Sequence, residues 1–253
     1  MSVSSPSLDP NTGETNPSPL TSRTGLPPAL EVLLITALFG GLMIGASVYQ
    51  VPFGAQIALI SCVIAITVFQ RLRGETWVDL GFKGPRNVSG FLLGTLAVFA
   101  IIASTFGANA VLQPTLAALL GNEGAQRVLP SVETWAEYIR IMVIVWTTAA
   151  FAEEMVFRGF FMTRIADVFG RSFASWTIAL FAPAVMFGLA HLYQGLPGVI
   201  TTGTVGLVFG IWYLISRRNL LPVIIAHGVV NSIGMTVLFA VSQGLLSADS
   251  LGL

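Results

Sequence analysis

The sequence predicts an all-α, polytopic transmembrane helix bundle of about seven spans enclosing a polar intramembrane cavity. Three observations predict it. Hydrophobic residues make up 54% of the 253 positions and charged residues only 9%, against roughly 25% in an ordinary soluble domain. Long stretches near the length of a bilayer crossing are almost free of charge. A few ionisable residues nevertheless fall inside those stretches, where they are costly and imply a purpose. The same arithmetic excludes other classes. Twelve basic residues balance twelve acidic ones, so no basic excess marks a nucleic-acid binder, and a single cysteine, Cys62, forbids a disulfide scaffold.

Residues 1–28 are rich in Ser, Pro, Thr and Asn and read as a solvated polar tail. They lack the basic start and short apolar core of a secretory signal, so the first apolar segment is expected to stay as an anchor. The transmembrane domain then covers 29–246, with a short tail at 247–253. Spans are expected at 29–49, 51–70, 88–112, 138–163, 173–194, 197–216 and 220–243. A tight turn at Gln50-Val51-Pro52 joins the first two, and a polar loop from Arg71 to Asn87 leads to the third. The loop before the fourth, with Glu123, Glu133 and Arg127, is acidic on balance.

Basic residues give the orientation. With the N-terminus cytoplasmic, the inner side holds Arg23, Arg71, Arg73, Lys83, Arg86, Arg158, Arg164, Arg171, Arg217 and Arg218, and the outer side Arg127 and Arg140. That is the positive-inside pattern, for a multi-pass protein of the cell membrane. No fixed-period or inverted repeat suggests a transporter.

Four polar places interrupt the spans: Glu153-Glu154 with Arg158, Phe187 with His191, His227 with Asn231, and Asn109. Neighbours on a helix point about 100° apart, so Glu153 and Glu154 cannot face one cavity together. Glu154 and Arg158 are four apart and meet on one face, a structural ion pair near the site. Glu153 is left as the reactive carboxylate. His191 and His227 are the only histidines, and both lie in spans. His227 and Asn231 share a helix face. One Glu, two His and an Asn in one cavity form a water-activating centre: a carboxylate takes a proton, imidazole holds it, and N–H groups stabilise an oxyanion.

Each residue alone has a plainer reading. Intramembrane His and Asn commonly bond helix to helix, Phe187 is a core or cavity-wall residue, and Gly206 and Gly210 have the spacing of close helix packing. Asn109 reads as a helix-end polar group without a role. The coincidence of the motifs carries the argument.

In order, these motifs are Glu-Glu-x-x-x-Arg, Phe-x-x-x-His and His-x-x-x-Asn. Together they resemble the CPBP family of intramembrane proteases, which includes type II CAAX prenyl endopeptidases and abortive-infection proteins. The resemblance runs over roughly 77–240 and includes the lead-in Asp79-Leu80-Gly81-Phe82. It implies that Glu153 activates water, that His191 orients or deprotonates it, and that His227 and Asn231 stabilise the oxyanion. It leaves zinc open. Glu153, His191 and His227 would supply three ligands, there is no His-Glu-x-x-His helix, and a metal-free glutamate mechanism uses the same residues.

The expected activity is hydrolysis of a peptide bond in a membrane-associated substrate, a prenylated Cys-a-a-X tail being the family archetype, in a cavity reached from the cytoplasm. The alternative is a non-catalytic scaffold or bacteriocin-immunity-type protein using the same polar cluster for packing or peptide binding. The expected partners are the lipid bilayer and a membrane-associated peptide. One feature strains the picture. With spans centred in the bilayer, His191 falls ~12 Å outward of the midplane, where Glu153 and Asn231 sit. Span five must therefore tilt, start deeper or break, with Gly170 and Pro183 as candidate positions.

Overall fold

Inside a bilayer the peptide groups of a charge-poor chain have only one another to bond, and this chain answers with helices. The structure, a computed structural model, describes residues 25–120 and 132–247. The expected tails therefore lie outside the described residues but for their inner edges, as do Arg23, Glu123 and Arg127.

Helix α1, Pro28–Val48, opens with a proline at its first position, where the missing N–H costs nothing. A tight turn with Gln50 and Phe53 at positive φ leads into α2, Gly54–Leu72. Helix α3, Val88–Leu120, runs on through Pro114 to Leu120 instead of stopping at 112. Helix α4 starts at a capping box, the Thr134 hydroxyl accepting from the Glu137 amide and the Glu137 carboxylate from the Thr134 amide. It is α-helical over Trp135–Ile144, π-wound over Val145–Ala152 and Met155–Met162, and α-helical again over Thr163–Val168. Ser172 and Ser175 form the capping box of α5, Phe173–Leu189. A 3₁₀ turn, Leu192–Gln194, leads to α6, Gly195–Ile215. The Asn219 side chain caps α7, Leu220–Ser242.

Among the described residues there is no strand. Helices α1, α2, α3, α6 (with its 3₁₀ turn) and α7 are each long and apolar enough to cross a membrane, and α5 is a shorter apolar helix. Large apolar side chains such as Ile64, Leu93, Phe99 and Val185 point outward, as a lipid-facing surface requires. Helices α1 and α2 form one antiparallel pair, α5 and α6 another, and α3 lies along α6 and α7. Helix α4 threads the centre. From Glu154 to Ala166 every residue is buried, surrounded by α1, α2, α5, α6 and α7. Phe157, Phe160 and Phe161 fill that half with ring-on-ring packing. Gly206 is where α6 meets α5 and α4. A Cβ there would stand 3.2 Å from the Phe187 ring and 3.4 Å from the Arg158 guanidinium, so the small residue serves close packing as expected.

Charge is segregated between the two ends. Arg71, Arg73, Lys83, Arg86, Arg164, Arg171, Arg217 and Arg218 sit at the end holding the α2–α3, α4–α5 and α6–α7 connections. The opposite end has Arg140 with Glu133 and Glu137 among the described residues. Arg158 belongs to neither. It is 2% exposed in the middle of α4, so it carries no information about which side is inside.

The basic end is also tied shut. Glu31 of α1, fully buried, pairs with Arg73 at 2.7 Å and Arg164 at 3.1 Å. Arg164 also pairs with Glu75 and with Asp167, and bonds Gln70. The α2–α3 loop folds beneath the bundle. The Tyr213 hydroxyl donates to the Leu80 carbonyl at 2.9 Å, and the Leu220 amide to the Gly81 carbonyl at 2.8 Å.

Candidate active site

Four side chains expected at the site, Glu153, His191, His227 and Asn231, line one cavity of about 520 Å³, together with Phe187. The local winding of α4 sets up the acidic pair. Thr147 and Thr148 donate their hydroxyls to the carbonyls of Val143 and Ile144, one turn back. They thereby compete with the regular ladder where the π winding begins. Glu153 faces the cavity and Glu154 faces the protein interior. The division expected from the helix survives, although the winding is wider than the 3.6 residues per turn behind that argument.

Glu154 makes the expected pair with Arg158, Nη1 to Oε1 at 2.8 Å, and both side chains are buried. Its role is larger than the sequence implied. The same Oε1 accepts from His227 Nδ1 at 2.7 Å. Arg158 in turn donates to the Gly206 carbonyl at 3.1 Å and lies over the rings of Phe187 and Phe209. Three helices are thus joined through one ion pair. With Nδ1 committed to Glu154, His227 turns Nε2 towards Glu153, 3.8 Å from its Oε2. That gap is too long for a direct hydrogen bond and leaves room for a water within reach of both groups.

His191 is placed differently from the expectation. Helix α5 runs unbroken through Pro183 and ends at Leu189, and Gly170, at positive φ, belongs to the turn before it. His191 lies just past the helix end. Its amide donates to the Gly188 carbonyl at 2.9 Å and its Nδ1–H to the Phe187 carbonyl at 2.8 Å. A carbonyl only accepts, so the proton is on Nδ1 and Nε2 is the free, basic nitrogen. The Phe187 ring stands 4.9 Å from the His191 ring and 6.4 Å from that of His227, centroid to centroid. Phe187 is therefore both core and cavity wall.

The depth conflict resolves because the cavity runs from mid-bundle towards the α5–α6 turn, so His191 need not reach the midplane. Residues from the start of α2 (Ala55, Gln56), the end of α3 (Gln113) and the 3₁₀ turn (Tyr193, Gln194) complete its wall. It therefore lies towards the end of the bundle remote from the basic loops.

Asn109 has a place after all. It lines the cavity with Thr105 and Gln113, the three spaced four apart along α3. Asn109 donates to the Thr105 carbonyl at 2.9 Å, and Gln113 to the Thr201 hydroxyl at 3.1 Å. That regular spacing of polar residues within a span was the signal that identifies the stripe.

Among the described residues, no group of three His, Cys, Asp or Glu side chains is arranged to hold a metal ion. The chemistry below is derived from the side chains alone.

A family model described as type II CAAX prenyl endopeptidase Rce1-like matches residues 135–233. The matched stretch contains Glu153, Glu154, Arg158, Phe187, His191, His227 and Asn231. No curated protein and no solved structure matches the chain.

Proposed function

Since residues 135–233 belong to the type II CAAX prenyl endopeptidase Rce1-like family, a group of intramembrane CAAX-type proteases, we propose that this chain hydrolyses a peptide bond in a membrane-associated substrate with Glu153 as the base. The supporting observation is the seat of His227. Its Nδ1 is held by a buried carboxylate, and its Nε2 lies 3.8 Å from the Glu153 carboxylate inside the cavity.

In the proposed reaction Glu153 takes a proton from a water that His191 Nε2 orients, and the hydroxide adds to the scissile carbonyl carbon. His227, its Nδ1 held by Glu154, faces the oxyanion through Nε2, and the Asn231 amide donates to it. Collapse breaks the C–N bond, and the proton held on Glu153 passes to the departing amine. The products are a carboxylic acid, which loses its remaining proton to solvent to become a carboxylate, and an amine.

The experiment is cleavage of a lipidated peptide panel by detergent-purified protein, wild type beside Glu153→Gln, with and without a chelator. The glutamine keeps the shape and loses the base, so cleavage should fall by a factor of about 10²–10⁴ while the protein still inserts. Cleavage by the wild type should survive chelation. Equal cleavage by both proteins would remove Glu153 from the reaction. A scaffold that uses the cluster only for packing or peptide binding would tolerate the glutamine and cleave nothing.

A further inference from the structure

One wall of the cavity holds polar groups that neither the proposed reaction nor helix packing uses. Gln113 of α3 and Thr201 of α6 both line it and meet there, Gln113 Nε2 donating to the Thr201 hydroxyl at 3.1 Å. That bond leaves a second capacity on each partner. Among the described residues nothing donates to Gln113 Oε1, and the Thr201 hydroxyl donates to nothing. Thr202 and Thr204, on the same stretch of α6, spend their hydroxyls on the carbonyls of Gly198 and Ile200 one turn back. Bonding of helix to helix needs only the Gln113 Nε2 and accounts for neither spare group. The pair stands at the depth of His191. Gly188, between Phe187 and His191, packs against Val199 and Gly203, and a Cβ there would lie 2.6 Å from the Val199 carbonyl oxygen and 3.2 Å from Gly203 Cα. Thr201 is midway between those two contacts. From Thr105 to Gln113 the polar stripe of α3 runs for about 12 Å, the length of three or four residues of extended peptide at ~3.3 Å each.

A free acceptor beside a free donor complements the N–H and C=O of a peptide, which within a membrane must both find partners. We infer that Gln113 and Thr201 bind the main chain of the substrate in the cavity, Gln113 Oε1 accepting from one of its N–H groups and the Thr201 hydroxyl donating to one of its carbonyls. Two such bonds fix the register of the segment along the wall that faces Glu153. They read backbone rather than side chains, so the site tolerates varied sequence there but rejects a proline or an N-methylated residue, which has no N–H to give.

The role of this contact rests on the proteolytic reading, yet binding tests it without catalysis. Full-length Glu153→Gln protein in detergent is titrated with a fluorescent, farnesylated peptide ending in Cys-Val-Ala-Leu. A series of the same peptide follows, with one amide at a time replaced by an ester, which has no N–H. One ester position should weaken binding about tenfold, the worth of one hydrogen bond. Gln113→Met and Thr201→Val should each weaken the all-amide peptide as much, and at that ester position Gln113→Met should cost nothing further. Thr204→Val, its hydroxyl already spent within α6, should bind like its parent. A Gln113→Met loss equal for amide and ester peptides, equal binding of every ester, or no binding of the all-amide peptide would overturn the inference. The ester series needs no change at Gln113 or Thr201, so it decides even where those variants do not fold. Cleavage judges the proteolytic reading separately: wild type cleaving no better than Glu153→Gln, with the ester pattern intact, would leave a peptide-binding scaffold that keeps this contact.

Discussion

Glu154 carries more of the site than the sequence suggested. One oxygen holds both the Arg158 guanidinium and the His227 ring, so removing the carboxylate strands a buried cation and frees an imidazole. Glu154→Ala should lower stability by about 3–5 kcal/mol, the cost of breaking a buried pair from one side, read as a lower melting temperature in detergent. Glu154→Gln should recover part of that stability yet cleave poorly, since a neutral amide holds the His227 ring and the Arg158 guanidinium less firmly than the carboxylate. An unshifted melting temperature in Glu154→Ala would mean the pair is not buried as described. The Glu154–Arg158 bond was legible because four residues separate the partners. The His227 bond joins positions 73 apart in sequence, and no local rule reaches that far.

At the scale of elements, spacing found the helices and missed their irregularities. All seven expected spans begin within three residues of the start of an observed helix. The π winding of α4 and the early end of α5 were not legible, because both depend on which carbonyls the Thr147 and Thr148 hydroxyls and the His191 ring occupy. The approach of α5 to α6 tests how finely the second element is placed. A Cβ on Gly188 would stand 2.6 Å from the Val199 carbonyl oxygen, and backbone cannot swing aside. Gly188→Ala should therefore cost about 1–3 kcal/mol. It should also reduce cleavage more than its stability loss explains, because Phe187 and His191 flank it. Gly107→Ala, with open space around it, should do neither; similar melting curves and rates for both variants would refute the contact.

Across the whole molecule, the overlooked residue is Glu31. It is the one charge in the first span and was readable as such, yet it lies so near the span's start that it passes for a flanking residue. Its partners come from beyond α2 and from the last turn of α4, which makes the first two helices part of the bundle rather than an appendage. Glu31→Ala leaves Arg73 and Arg164 short of a partner and should cost ~3 kcal/mol. Arg171→Ala breaks a half-exposed pair with Asp167 and should cost at most about 1 kcal/mol. Thermal melts of the two variants in one detergent would compare them, and equal shifts would deny the network its structural weight. The loop cations that were counted together do share one end of the bundle, but Arg158 does not belong with them, since a count by position cannot distinguish an interior arginine from one in a loop.

The burial of α4 bears on how the protein is made. Glu153, Glu154 and Arg158 stand in the middle of this one helix, and each charge at a helix centre costs the insertion machinery about 2.5–3.5 kcal/mol. Emerging alone from the ribosome, α4 is a poor candidate to settle in lipid. The groups that compensate it, His227 on α7 and the Gly206 carbonyl on α6, are synthesised later. Insertion of α4 should accordingly wait for its successors. In a glycosylation-mapping assay, a chain ending after α4 should leave that helix largely outside the membrane, and extension through α7 should bring it in. Full insertion of the shorter chain would show that α4 needs no such help. If the helix does wait, the bonds of Glu154 and Arg158 that hold the cavity together also time its assembly, and a truncated product is never left in the bilayer with these charges uncompensated.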